Sequence, residues 1–140
     1  MRRSPYDVGR DLRLLLDSHA LLWAIYSPER LSARIALLLQ DEANELVVSH
    51  ASLREILSKV GRGKLLLAGT SVEGVKERVD TLGVTYLPHR VEPHSAVRQP
   101  AAPSQRSVYR ILIAQAKAEA LPLVTGDAAL SAYGAEIVWS

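Results

Sequence analysis

Two aspartates in this 140-residue chain occupy equivalent places. Asp17 closes the apolar run LRLLLD, Asp127 closes LPLVTGD, and a candidate helix follows each. Acids just beyond the carboxyl ends of buried strands sit where open α/β sheets bind ligands. Brought close together they would repel, and a divalent cation relieves that repulsion. Aspartate is also a favoured helix N-cap, and for either residue alone the cap is the simpler reading. Glu55 is a third acid, beside the apolar stripe of another candidate helix rather than opposite it. Its plain alternative is a solvated ion pair with Lys59 one turn on, worth about 0.3 kcal/mol. Spacing alone does not bring Glu55 to the aspartates.

Other chemistries lack their residues. There is no cysteine, so thiolate nucleophiles, thiolate metal sites and disulfides are excluded, and any metal must take oxygen or imidazole. His19, His50, His89 and His94 form no metal-ligand spacing, and none is assigned to catalysis. The GRGK at 61–64 lacks the length and the hydroxyl residue of a phosphate-binding loop, and no GxSxG is present. Arg54, Lys59, Arg62 and Lys64 read as a solvated face, and Trp23 and Trp139 as core.

The elements that must position the acids follow from periodicity. Leu12 to Leu16 suits a strand buried on both faces, with a helix from His19 to Tyr26. Ser32 caps a helix to Gln40, with Leu31, Ile35, Leu38 and Leu39 as its stripe. Leu46 to Ser49 is a strand; Ser52 to Val60 is a helix with Leu53, Ile56, Leu57 and Val60 in phase, stopped by Gly61 and Gly63. Val72, Val75, Val79 and Leu82 mark another helix, and Val84 to Leu87 a strand. Pro88 to Ser107 reads as a loop, Val108 to Glu119 as a helix, and Leu121 to Thr125 and Ile137 to Trp139 as strands. Such alternation predicts an α/β fold with a mostly parallel central sheet and helices on both faces.

The length suits one domain. A net charge of +2 and a pI near 9.1 permit contact with nucleic acid without arguing for it. Residues 1–11 read as a flexible arm, or as an upstream start codon, with no apolar segment of a signal peptide behind the arginines. A soluble, cytoplasmic protein without a membrane span is the expectation.

The strings LRLLLDSHALLWA, VVSHASLREILSKVGRGKL and ILIAQAKAEALPLVTGDAALSAYG together resemble the VapC branch of the PIN-domain family, over about residues 12–139. The resemblance implies a single PIN domain over 12–140, a PIN-like three-layer fold with its acids at the carboxyl edge of the sheet. Asp17 matches the first acid, Glu55 the second and Asp127 the last. Ser18 matches the small hydroxyl residue after the first acid, and Thr125 the threonine before the last. It further implies catalysis and metal binding by Asp17, Glu55 and Asp127, with Mg²⁺ or Mn²⁺ as cofactor. An RNA substrate, a homodimer and a cognate VapB-type antitoxin are the implied partners.

The pattern breaks at one place. Members of the branch carry a segment resembling Asp-Pro-Phe-Asp-Arg before LLIAQA, whose second aspartate is the third acid. Here Arg106, Ser107, Val108, Tyr109 and Arg110 stand there, so Tyr109 replaces the acid, and no acidic residue lies between Glu92 and Glu119. A tyrosine is neutral near pH 7 and larger than a carboxylate, so metal attraction falls. The codons CGA TCC GTT for 106–108, read one base later into the T of Tyr109, would spell Asp-Pro-Phe, so a compensated frameshift over 99–109 is one origin of the departure. Two functions stand: a toxin that is a metal-dependent endoribonuclease with impaired activity, and an inactive PIN scaffold that binds antitoxin or RNA. A response-regulator receiver would need paired acids after the first strand, which LLLDSH does not offer.

Overall fold

Asp17 and Asp127 end neighbouring strands because of the order in which the sheet is laid down. In the computed structural model, which describes residues 12–63, 71–88 and 105–139, five strands and five α-helices are described, with two helices after each of the first two strands. They are β1 (Arg13–Leu16), α1 (Ser18–Tyr26), α2 (Ala33–Gln40), β2 (Glu45–Ser49), α3 (His50–Gly61), α4 (Val72–Thr81), β3 (Thr85–Leu87), α5 (Gln105–Glu119), β4 (Leu123–Val124) and β5 (Ile137–Val138). Every strand pair is parallel and the order is β3-β2-β1-β4-β5. The direction of winding reverses between β1 and β4. That switch point opens a crevice at the carboxyl edge, the usual ligand position in such sheets. The N–H of Leu15 and of Asp17 donate to Pro122 and Val124 carbonyls at 2.9 and 3.1 Å, which fixes β1 against β4 there.

Strand alternation divides the core into two layers. Leu14, Leu16, Leu46, Val48, Val124 and Val138 face one side, meeting Leu21 of α1, Ile35 and Leu38 of α2, Ile56 of α3, and Val75 and Val79 of α4. Leu15, Val47 and Leu123 face the other, against Val108, Leu112 and Ala116 of α5. The expected α/β architecture, a parallel sheet between helices, is therefore present, and here the sheet is wholly parallel.

The caps explain where the helices begin. Ser32 Oγ accepts from the Ile35 N–H at 3.2 Å, as the sequence predicts. Buried Asn44 ties the end of α2 to the sheet, donating to the Leu38 carbonyl and accepting from the Leu12 N–H, both at 3.0 Å. α5 starts at Gln105, three residues before the apolar pattern requires it, so its first turn extends into the segment read as loop. The expected arm at 1–11, and 99–104 of the candidate frameshifted stretch, lie outside the described residues. A short 3-10 turn at Pro28–Arg30 and another at Ala128–Tyr133 were not legible from periodicity.

At the end of α5 the Leu121 N–H returns to the Ala116 carbonyl at 2.8 Å, with Ala120 in the left-handed region at φ 53. An L side chain is strained there and glycine is not. Ala120→Gly is expected to stabilise the fold by about 0.5 kcal/mol, the relief exceeding the added chain entropy of the unfolded state. The midpoint of a urea titration should rise accordingly; an unchanged or lower midpoint contradicts the strain.

Candidate active site

Each acid reaches the edge by a different local device. Asp17 follows β1 directly and caps α1, its Oδ1 accepting from the Ala20 N–H at 2.7 Å. The cap and site readings therefore apply to one residue at once. Ser18, in the first turn, donates from Oγ to Glu55 Oε1 at 2.6 Å, and both groups are buried. That bond brings α3 to the acid edge across 37 residues of chain. Thr125 follows β4, is fully buried, and hydrogen-bonds to the Asp17 carboxylate. Its Oγ1 also accepts from the Asp127 N–H at 3.2 Å. Asp127 is exposed and heads the 3-10 turn at Ala128–Tyr133, with Oδ1 accepting from the Ala129 N–H at 3.1 Å.

Asp17, Ser18, Glu55 and Thr125 thus form one connected buried group, and Asp127 stands at its rim. Asp127 shares a cleft of about 430 Å³ with Asp17, His19, Tyr109, Gly126, Trp23 and Trp139, whereas Glu55 lines a second cleft along α1. Among the described residues, no three His, Cys, Asp or Glu side chains gather tightly enough to hold a metal ion by themselves.

The electrostatics of the buried pair favour a cation. Burial pushes the Asp17 carboxyl above its ordinary value of 3.8. The hydrogen bonds from Thr125 and Ala20 and the charge of His19 oppose that rise, and the neighbouring Glu55 charge adds to it. Glu55 is only 3% exposed, yet its Oε2 has no hydrogen-bond partner. The nearest cation, Lys59 Nζ, lies 3.7 Å away, too far for a short bond. The solvated Glu55–Lys59 pair that helical spacing allows is accordingly half correct: the pair exists, but the acid is buried.

An orphaned buried carboxylate oxygen beside a second carboxylate with raised affinity for protons fits a hard divalent ion. Asp17 and Glu55 are the residues that would hold such an ion, while Asp127, exposed at the rim, lines the cleft shared with Asp17 and not the one that Glu55 lines. Mg²⁺ and Mn²⁺ accept one or two carboxylates and complete their shells with water and phosphate oxygens, so the residues suit an open site rather than a closed cage. Tyr109 lines both clefts, at the place where the resemblance implies a further acid.

Several cleft residues carry no chemistry in the sequence reading. His19, Leu22, Trp23 and Tyr26 follow one another at helical spacing and all line the α1 cleft, with Arg30 and Lys59 beside them. The sequence offers a helix from His19 to Tyr26 and Trp23 as core, and core and cleft are indistinguishable by spacing alone. The two tryptophans meet at 5.8 Å between ring centroids, and Trp139 covers Gly126, where an added Cβ would lie 3.2 Å from the indole.

The model of the PIN domain matches residues 14–136, and the chain belongs to the PIN domain family. PIN domains are in general nucleases that act on nucleic acid with divalent metal ions. No curated protein matches the chain. Among the described residues, no helix is long and apolar enough to cross a membrane.

Proposed function

We propose that the chain is a VapC-type toxin, a metal-dependent endoribonuclease whose centre is Asp17, Glu55 and Asp127, weakened by Tyr109. The observation that carries this reading is the Ser18–Glu55 hydrogen bond at 2.6 Å. It ties Glu55 to the residue that directly follows Asp17, a contact that no spacing in the chain requires and that supports the reading. Bound metal would supply a more acidic water and neutralise charge on the scissile phosphate. The chain's own residues do the rest. Ser18 fixes one oxygen of Glu55 and leaves the other for the ion. Thr125 orients Asp17 and, through its Oγ1, the Asp127 backbone. Mg²⁺ or Mn²⁺ serves, the protein acts in the cytoplasm as a homodimer, and a VapB-type antitoxin covers the acid edge.

Single-stranded RNA incubated with the purified chain and Mn²⁺ should be cut slowly, and EDTA should stop it. Glu55→Gln keeps the acceptor for Ser18 but removes the charge, so the rate should fall at least about tenfold. Cleavage that survives both EDTA and Glu55→Gln would remove the metal centre.

The second reading is an inactive scaffold that retains antitoxin or RNA binding. Tyr109 favours it, since the phenol is neutral and stands in both clefts. Cleavage undetectable with either metal, alongside retained RNA binding, selects it.

A further inference from the structure

Aromatic side chains are scarce here, with two tryptophans, five tyrosines and no phenylalanine, yet both tryptophans and two of the tyrosines line the clefts at the acid edge. The α1 cleft, of about 320 Å³, has Trp23, Tyr26 and Tyr109 in its walls together with the cations Arg30 and Lys59. That volume lies at the small end of ligand-sized pockets. The Arg30 guanidinium lies 5.7 Å from the centre of the Trp23 ring. Lys59 is about one-third exposed, and at 3.7 Å from Glu55 its ammonium keeps donors for another anion. Tyr26 Oη, on a residue of the same wall, is buried without a hydrogen-bond partner. Buried polar atoms are nearly always paired in folded proteins, so this one calls for a partner with polar groups.

We infer that the α1 cleft is a seat for one unpaired nucleotide, its base against Trp23, Tyr26 and Tyr109 and its phosphate toward Arg30 and Lys59. Aromatic walls accept any base, although Arg30 lies over the Trp23 ring and Arg78 over the Tyr26 ring, so a base there shares those rings with a guanidinium. Arg30 and Lys59 supply the counter-charge for phosphate. The seat rests on the nuclease reading for its place in catalysis, but binding in it requires no metal. Tyr109 then has a positive role: the residue that removes a carboxylate from the acid edge adds a ring to the nucleotide seat.

Calorimetric titration of the full chain in EDTA tests this. Adenosine 5′-monophosphate should saturate, and ribose 5-phosphate, which lacks the base, should bind at least about tenfold more weakly. Tyr109→Asp should weaken adenosine 5′-monophosphate about fivefold or more, while Tyr109→Phe keeps the parental affinity. Equal binding of the two ligands, or no saturation by the nucleotide, overturns the seat, and that comparison needs no variant to fold. Unchanged nucleotide affinity in a folded Tyr109→Asp chain overturns the role of Tyr109. The Mn²⁺ cleavage assay separates the two readings. Cleavage without nucleotide binding removes the seat alone, and nucleotide binding without cleavage at either metal removes the nuclease alone.

Discussion

Tyr109→Asp should raise Mn²⁺-dependent RNA cleavage by about 100-fold over the unaltered chain. Disturbing even the neighbour of a metal ligand costs about 10–100-fold in affinity or activity, and a ligand itself is expected to matter no less. The side chain lies where it can act. Tyr109 lines the cleft that holds Asp17 and Asp127 as well as the one that holds Glu55, so a carboxylate there would serve an ion from either side. The replacement is also smaller, which opens the edge to a phosphate and to water. Tyr109→Phe should leave cleavage at the parental level, because the proposed centre makes no use of the phenol as a ligand. Asp17→Asn added to Tyr109→Asp should return cleavage to background. A folded Tyr109→Asp chain that binds Mn²⁺ no more tightly than its parent would show that the missing acid is not what limits the site.

The place of that substitution was readable from the sequence, since ILIAQA at 111–116 fixes the register and Tyr109 falls where the resemblance implies an acid. The fold was readable too, because strands of three to five mostly apolar residues are interspersed with helices whose stripes keep a 3.6-residue period. What periodicity did not contain was contact between elements. Glu55 lies beside its stripe, and the same position is equally good for a solvated glutamate. Only the docking of α3 beside α1, closed by the Ser18 hydroxyl, makes it a buried acid. The split of the acids was likewise hidden. Asp17 and Asp127 stand in near-identical strings, yet one is 1% exposed and the other is open to solvent. The 3-10 turn that Asp127 heads carries it outward, whereas α1 packs over Asp17. The stripe of His19, Trp23 and Tyr26 had the period of a core face, and nothing in the sequence marks it as the wall of a cleft.

Burial of Asp17 has a second large consequence, on stability rather than rate. Its carboxyl holds a proton more tightly in the folded chain than in the unfolded one, chiefly because burial strips water from the charged form. Between the ordinary value of 3.8 and the raised one, the folded state therefore binds more protons. Stability must fall as pH climbs through that window, and the penalty is complete above it. Asp17→Asn removes the charge and keeps an oxygen to accept from the Ala20 N–H. The variant should therefore melt higher than the parent at pH 7 without metal, by about 3–5 °C for each kcal/mol of relief. At the acid end of the window the two should converge. Mn²⁺ should raise the parental melting temperature at pH 7 by neutralising the same charge, and leave Asp17→Asn nearly unmoved. Scanning calorimetry in EDTA and in Mn²⁺, at several pH values, reads all of these. An Asp17→Asn chain less stable than its parent at pH 7 without metal would mean that the bonds from Thr125 and Ala20 outweigh the cost of burial. The acid edge would then hold its charge without any need of a cation.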